Sequence, residues 1–178
     1  FMFIQETTPN DLDELERKLR LNQFRGGTAA VYMEPVGPES GTTPITVEYV
    51  KGVERLCRKY GALLVFDEVV TGFRIGMAGA QGYFGVSPDL TIFGKVIAGG
   101  YPGAGGIGGK REYMKYLGAG LDSSGKKIHK ALVGGTMTAN PLSCCAGYFT
   151  LEEIERTNAC QKAGQMGDRI CAGLKELV

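Results

Sequence analysis

The sequence predicts an α/β fold with a mostly parallel sheet, and two observations support this prediction. Candidate strands alternate along the chain with candidate helices, which is the order that parallel strands joined by crossover helices require. The strands are also continuously apolar, as expected where helices cover both faces of a sheet. A glycine-rich stretch, AGGIGG at 104–109, is a candidate fourth strand.

The composition is that of an ordinary soluble globular protein. Of 178 residues, 43% are hydrophobic and 22% are charged. The formal net charge of +1 gives no reason to expect nucleic acid or an anionic membrane as a partner. The apolar runs fall short of the roughly 20 residues that a membrane span needs. The first residues also lack the basic and apolar regions of a signal peptide.

The five cysteines and the single histidine show neither metal-ligand spacing nor the pattern of a secreted disulfide framework. We therefore expect a reducing, cytoplasmic setting and no metal site. The chain begins without an initiator methionine and stops inside a helical pattern at AGLKELV. We expect from this that it is a piece of a longer protein.

The first half of the chain predicts two helices and a strand between them. Residues 10–20, NDLDELERKLR, place apolar side chains at helical spacing, with Asn10 as the expected N-cap. Residues 28–36, TAAVYMEPV, form an apolar strand candidate. Residues 46–61, TVEYVKGVERLCRKYG, are again amphipathic, and Gly61 is a natural C-cap.

The next strands follow closely. Residues 62–67 and 89–95 are short apolar runs and are the second and third strands. The glycine-rich stretch 104–109 comes next, and residues 111–117 predict a short helix before a polar loop at 118–130. Two long helices complete the pattern. The first covers 140–155, where Asn140 at the N-cap and Pro141 at the first helical position are a strong start signal, and the last begins near Asn158.

Polar side chains stand where three of the predicted strands end. These are Glu34, Asp67 and Lys95. In open α/β sheets, ligands bind at the carboxyl ends of the strands. The coincidence predicts a functional site at this edge of the sheet.

Lys95 and Asp67 together suggest a particular cofactor. Lys95 lies between the apolar stretches TIFG and VIAGG, and a lysine in apolar surroundings readily loses its proton and becomes a nucleophile. A lysine that forms a Schiff base and an acid that pairs with a pyridinium nitrogen are the two protein groups that pyridoxal phosphate chemistry requires. Simpler interpretations stay open here: a solvated strand-end acid, a surface lysine, or a direct salt bridge between the two.

Two glycine-containing segments suggest phosphate binding. GAGGIG, 103–108, satisfies the GxGxxG pattern of dinucleotide-binding proteins, but that pattern should open a helix, whereas here the glycines belong to a predicted strand. In GGTMTANP, 134–141, Thr136 follows two glycines and precedes a helix start, so its hydroxyl and nearby N–H groups could hold a phosphate oxygen. An ordinary loop before a capped helix is the alternative.

Taken in order, four segments resemble the class III aminotransferases, pyridoxal phosphate enzymes of fold type I, and most nearly the glutamate-1-semialdehyde aminomutase-like branch. The segments are AAVYMEPV, LLVFDEVVTGFR, GAQGYFGVSPDLTIFGKVIAGGYPGAGGIGG and GGTMTANPLSCCAGY, and they span roughly 28–155. Each is modest alone, but the ordered set is specific. The resemblance implies a three-layer large domain in which the four strands lie side by side and the glycine-rich one is antiparallel.

The resemblance also implies roles for individual residues. Lys95 matches the lysine that holds pyridoxal phosphate and shuttles a proton, and Asp67 matches the acid that keeps the ring nitrogen protonated. Val69 corresponds to the side chain packed against the ring. Thr136 matches the threonine that binds the cofactor phosphate of the neighbouring subunit, which implies a homodimer with a shared active site. Glu39, in a looser match, lies where some members carry a glutamate near the substrate.

The implied activity is amino-group transfer between small molecules through a lysine Schiff base. Val70 stands where many class III transaminases have Gln, which favours the aminomutase-like branch and makes glutamate-1-semialdehyde 2,1-aminomutase, an intramolecular transfer, the alternative. A GxGxxG oxidoreductase and a non-catalytic fragment are the interpretations from other classes. Residues 1–156 are expected to be the central part of the large domain, and 157–178 a helix leading to a small domain. We expect the isolated chain to be inactive, because family members make half of their cofactor contacts through segments that this chain does not include.

Overall fold

A computed structural model describes residues 3–118 and 120–177. Its centre is a sheet with the strand order β1-β2-β3-β4. The strands are β1 (Ala30–Met33), β2 (Leu63–Glu68), β3 (Leu90–Phe93) and β4 (Gly106–Gly109). The first three run parallel and β4 is antiparallel to β3, which confirms the predicted sheet and its antiparallel glycine-rich strand.

Helices surround this sheet. They are α1 (Leu12–Gln23), α2 (Pro38–Gly41), α3 (Val47–Tyr60), α4 (Gly79–Phe84), α5 (Arg111–Met114), α6 (Pro141–Thr157) and α7 (Ala159–Lys175), with 3-10 turns at Lys95–Ala98 and Lys115–Leu117. Neither α2 nor α4 was predicted, because four or six residues are too few to establish a helical period. In the described part of the chain, no helix has the length and apolar character needed to cross a bilayer.

The helix ends follow their caps, with one correction. Asp11, not Asn10, is the N-cap of α1, and its carboxylate accepts the N–H of Glu14 at 2.7 Å. Asn10 is used differently, because its side chain donates to the Pro44 carbonyl and accepts the N–H of Thr46. It therefore joins the start of α1 to the start of α3. The predicted C-cap Gly61 is confirmed, with a left-handed φ of 69°.

The apolar core lies on one face of the sheet. Leu64 and Phe66 of β2 point into it and are fully buried. They pack with side chains of α1, α3 and α4, which include Leu15, Leu19, Val50, Val53, Cys57, Ala80 and Phe84. Tyr32 of β1 and Ile107 of β4 are 57% and 42% exposed, so the opposite face is more open in the described residues.

A buried carboxylate ties the strands to α3. Asp89, which is 1% exposed, accepts the Leu64 N–H at 2.8 Å, Arg58 at 2.5 Å and Lys110 at 2.6 Å. Burial disfavours its charged form, but the hydrogen bonds from Lys110, from Leu64 and from Arg58 outweigh burial and hold the Asp89 pKa below its ordinary value. This network fixes β3 beside β2 and anchors the residue that follows β4.

Helix α6 packs closely on the turn that contains Lys95. A Cβ at Gly147 would lie 2.0 Å from the Ile97 carbonyl oxygen, and one at Gly99 would lie 2.6 Å from the backbone of Ala146. These two glycines let the backbones approach. Ser143, whose side chain is buried, donates to the Pro102 carbonyl at 2.7 Å. The helix therefore supports both ends of the loop between β3 and β4.

Candidate active site at the carboxyl ends of β2 and β3

Asp67 lies near the end of β2 and points away from the apolar core. Its Oδ1 atom accepts the N–H of Val69 at 2.9 Å, and its Oδ2 atom accepts the hydroxyl of Tyr32 from the neighbouring strand. The carboxylate is half-buried. Burial and then the hydrogen bond to Asp67 raise the pKa of Tyr32 to about 12, so the phenol stays protonated and donates.

Lys95 follows β3 at the same edge of the sheet. In the register, Asp67 pairs with Ile92, three residues before the lysine. Lys95 has a φ of 51°, in the left-handed region that residues with a side chain rarely adopt. Its side chain is exposed, and no ion pair joins it to Asp67 in the described part of the chain. The salt-bridge interpretation is therefore wrong.

Val69 lies against the backbone just before Lys95. A Cβ at Gly94 would come within 3.1 Å of the Val69 Cγ1 atom, so a larger residue at 94 would crowd the Val69 side chain. Asp67, Val69 and Lys95 are thus brought to one edge by the ends of two adjacent parallel strands. This is the arrangement that strand order and the position of the polar residues predicted.

An open cavity of about 430 Å³ contains the lysine. Its lining residues are Arg74, Lys95, Val96, Ala98, Gly100, Tyr101 and Ala104. The lining carries two cationic side chains and no carboxylate. Arg74 donates to the Val70 carbonyl and is held at the cavity by that contact. A separate cavity of about 440 Å³, between Phe73, Met77 and Phe93, has no titratable side chain in its lining.

No hydrogen bond or ion pair links two further predicted site residues, Thr136 and Glu39, to Asp67 or Lys95 in the described structure. Thr136 is exposed in a turn before α6, and the next residue, Met137, lies close to Gly103. Glu39 is exposed, has a φ of 51°, and donates its N–H to Glu34 Oε1 at 3.2 Å. Their assigned roles stay predictions.

Glu68, the residue that follows Asp67, has a structural role. It is 1% exposed, and its Oε2 atom accepts the Ala80 N–H at 2.6 Å and the Thr71 hydroxyl at 3.2 Å. It therefore fixes the start of α4 against the end of β2. The Oε1 atom has no hydrogen-bond partner among the described residues.

The dinucleotide interpretation of GAGGIG is wrong. Residues 106–109 form β4, an antiparallel strand followed by the four-residue helix α5, whereas the fingerprint requires a parallel strand that ends where the glycines begin. The glycines serve close packing instead. A Cβ at Gly109 would lie 2.5 Å from the Asp89 carbonyl oxygen, and one at Gly108 would meet the Phe93 ring at 3.3 Å.

The structure adds three residues to the candidate site that the sequence analysis missed: Tyr32, Arg74 and Tyr101. Tyr32 was hidden inside a strand read as continuously apolar. Its register partner Val65 stands two residues before Asp67, and this spacing places the tyrosine on the same face as Asp67. Arg74 and Tyr101 lie in loops whose course no local pattern specifies.

Comparison with known proteins gives a consistent result. A glutamate-1-semialdehyde 2,1-aminomutase of Legionella pneumophila is 39% identical over 97% of this chain, and one of Staphylococcus epidermidis is 41% identical over 94%. The chain spans only 38% and 36% of the length of these two relatives.

Solved structures of transaminases share the fold. An ω-transaminase from Sphaerobacter thermophilus is 35% identical with a TM-score of 0.69, and the match covers 82% of this chain and 31% of that one. The ornithine δ-aminotransferase of Plasmodium falciparum is 28% identical with a TM-score of 0.79, and covers 97% of this chain and 40% of that one. The sequence model of aminotransferase class-III matches residues 4–178. The chain therefore belongs to the class III aminotransferases.

Proposed function

We propose that the protein transfers amino groups with pyridoxal phosphate, and that Lys95 is the residue that holds the cofactor. The observation that carries the proposal is the position of Lys95 and Asp67 at the carboxyl ends of two neighbouring parallel strands, within a chain of the class III family. One solved transaminase that is 32% identical to this chain, with a TM-score of 0.68 over 82% of it and 32% of that chain, has PLP bound.

The residues present fit this cofactor. Lys95 offers an amine without an ion-pair partner in the described residues, beside a cavity of about 430 Å³. Asp67 offers a carboxylate whose orientation is fixed by two donors. Arg74 and Lys95 give the cavity lining a positive charge, which favours an anionic cofactor or substrate.

Each residue would make a separate contribution. When bound, pyridoxal phosphate supplies an aldehyde that captures amines and a protonated ring that withdraws electrons. Lys95 would hold the cofactor and, once displaced by substrate, would carry the proton between carbon atoms. Asp67 would accept a hydrogen bond from the ring nitrogen, and Val69 would pack against one face of the ring. Thr136 would contact a cofactor phosphate, and Glu39 would contact the substrate.

Glutamate-1-semialdehyde 2,1-aminomutase is the second candidate activity. It is favoured by the 39–41% identity to such enzymes over most of this chain and by Val70 in place of Gln. Product analysis separates the two. An aminomutase isomerises a single substrate, whereas a transaminase consumes a second substrate as amino acceptor.

The proposal extends to assembly. We propose a homodimer in which Thr136 serves the cofactor phosphate of the partner subunit, which accounts for its exposure. We further propose that residues 1–156 belong to the large domain and that 157–178 lead towards a small domain. No residue of α7 is buried, as expected for a helix whose partner lies elsewhere. The chain of 178 residues alone should show no turnover.

A borohydride trap tests the proposed function. The protein is incubated with pyridoxal phosphate, reduced and digested, and the peptide that carries the pyridoxyl group is identified. Labelling concentrated on Lys95 is the expected result. Lys110 is the internal control, because its amine is engaged by Asp89 at 2.6 Å and should react poorly. Failure to label Lys95 in the whole gene product would overturn the proposal.

A further inference from the structure

Tyr32 is a residue of the site that neither the sequence motifs nor the family resemblance assigned. It stands on β1, in register with Val65 of β2, and Asp67 follows Val65 by two positions. Side chains two residues apart on a strand share a face, so Tyr32 and Asp67 lie on the same side of the sheet. This is the open side, where Tyr32 is 57% exposed.

Each oxygen of the Asp67 carboxylate accepts a different hydrogen bond. The Val69 N–H occupies Oδ1 at 2.9 Å, and the Tyr32 hydroxyl occupies Oδ2. A carboxylate oxygen has two acceptor sites, so Oδ2 can accept a second donor while it keeps the tyrosine. A donor on each oxygen also fixes the plane of the carboxylate, which a single backbone contact would leave free to rotate.

Tyr32 is suited to remain a donor. Burial, followed by the hydrogen bond to Asp67 and the charges of Asp67 and Glu34, raises its pKa to about 12. The phenol therefore keeps its proton at every pH at which an enzyme of this kind would be assayed. It does not become a second negative charge beside the carboxylate.

We propose that Tyr32 is a positioning residue that orients the Asp67 carboxylate towards a cofactor ring nitrogen. The inference rests on the proposed function, because it requires Asp67 to bind that nitrogen. Tyr32 itself makes no contact with the reacting atoms. Its effect is confined to the one interaction that Asp67 makes with the cofactor.

A cofactor analogue isolates this interaction. In 1-deazapyridoxal phosphate a carbon atom replaces the ring nitrogen, so the analogue keeps the aldehyde and the phosphate but has no nitrogen for Asp67. The dissociation constants of both compounds are measured by absorbance for the whole gene product and for Tyr32→Phe. We expect Tyr32→Phe to raise the dissociation constant of pyridoxal phosphate roughly ten-fold, as loss of one hydrogen bond to a charged group predicts. The dissociation constant of the analogue should stay the same.

Two variants complete the design. Tyr83→Phe removes the same atom from a side chain that is 71% exposed and packs edge-on against Phe84, and it should change neither constant. In the double variant Tyr32→Phe/Asp67→Asn, the tyrosine substitution should add nothing to Asp67→Asn, since Tyr32 acts through that carboxylate.

The outcomes separate the two proposals. If the parent protein binds pyridoxal phosphate more tightly than the analogue and Tyr32→Phe keeps that full preference, the role of Tyr32 is wrong and the proposed function stands. Equal weakening of both compounds by Tyr32→Phe would also overturn it, because it would indicate a general structural role. If the parent protein has no preference, Asp67 does not bind the ring nitrogen and the role of Tyr32 fails with it, whereas the labelling of Lys95 still decides the proposed function.

Discussion

Asp67 and Glu68 are adjacent in the chain, yet their carboxylates lie on opposite faces of the sheet and have unrelated surroundings. Asp67 is half-buried on the open face and is held by Tyr32. Glu68 is 1% exposed on the core side, where it accepts the N–H of Ala80. Because side chains alternate along β2, Asp67 faces the candidate site and Glu68 faces the core.

Glu68 should be important for folding rather than for chemistry. We expect Glu68→Ala to lower the free energy of unfolding by about 3 kcal/mol, because it leaves the buried N–H of Ala80 and hydroxyl of Thr71 without an acceptor and opens a cavity. Urea denaturation measures the change. Glu68→Gln should cost less, since its amide oxygen can still accept. Glu155→Ala, at an exposed position of α6, is the control, and an effect as large there would contradict the argument.

The Asp89 network should stabilise the fold in a pH-dependent manner. Asp89→Asn should lower the free energy of unfolding by about 2 kcal/mol near pH 7, a value reduced for the 41% exposure of the Arg58 and Lys110 side chains. The folded-state pKa of Asp89 lies below its ordinary value of about 4, so the stabilisation is present above that value and is lost as pH falls towards the folded pKa.

The difference in stability between the parent protein and Asp89→Asn should therefore narrow below about pH 4. Denaturation curves collected from pH 7 down to acid conditions measure it. Asp168→Asn, in an exposed part of α7, should leave the pH dependence of the free energy of unfolding unchanged. If the difference in free energy of unfolding between the parent protein and Asp89→Asn stayed constant with pH, the charge of Asp89 would not be what stabilises the network.

The contact between Tyr32 and Asp67 can be detected without any cofactor. Alkaline titration of tyrosine absorbance should include a phenol with a pKa of about 12 whose contribution is lost in Tyr32→Phe. Asp67→Asn should lower that pKa, because the charge that opposes ionisation is removed, but burial should keep it above the ordinary value of about 10. If Asp67→Asn left the titration unchanged, the two side chains would not be in contact in solution.

The close approach of α6 to the Lys95 turn should depend on Gly147. Its added Cβ would lie 2.0 Å from the Ile97 carbonyl oxygen, so Gly147→Ala should lower the free energy of unfolding by about 2 kcal/mol and reduce pyridoxyl labelling of Lys95. Gly164→Ala on α7 is the matched control, since no atom lies within 4 Å of its added Cβ. That change should stabilise the helix by about 0.5–1 kcal/mol. Equal effects of the two substitutions would contradict the prediction.

Sequence reasoning predicted the features that local chemistry controls. The apolar runs of β1 to β3 identified the strands, and strong caps such as Gly61 and Asn140 identified helix ends. Asn10 was predicted as the N-cap of α1, whereas Asp11 is the N-cap, and both residue types favour that position. Only the contacts of Asn10 with Pro44 and Thr46, far along the chain, decide between them.

The candidate site was predictable where it follows from strand ends and missed where it depends on register. Asp67 and Lys95 follow apolar runs and could be named from the sequence. The hydrogen bond from Tyr32 requires knowing that β1 pairs with β2 in parallel, with Tyr32 opposite Val65. Arg74 reaches the cavity through a turn, and the composition of a turn does not reveal where its side chains point.

The left-handed backbone of Lys95 has a consequence for the natural variation of this site. With a φ of 51°, this position would suit glycine better than lysine. If Lys95 holds the cofactor as proposed, selection for its chemistry retains the amine although glycine would relieve the backbone strain. A homologue that has lost catalysis should be recognisable by glycine or asparagine at this position. Gly99 should persist there, because an added Cβ would lie 2.6 Å from the Ala146 backbone.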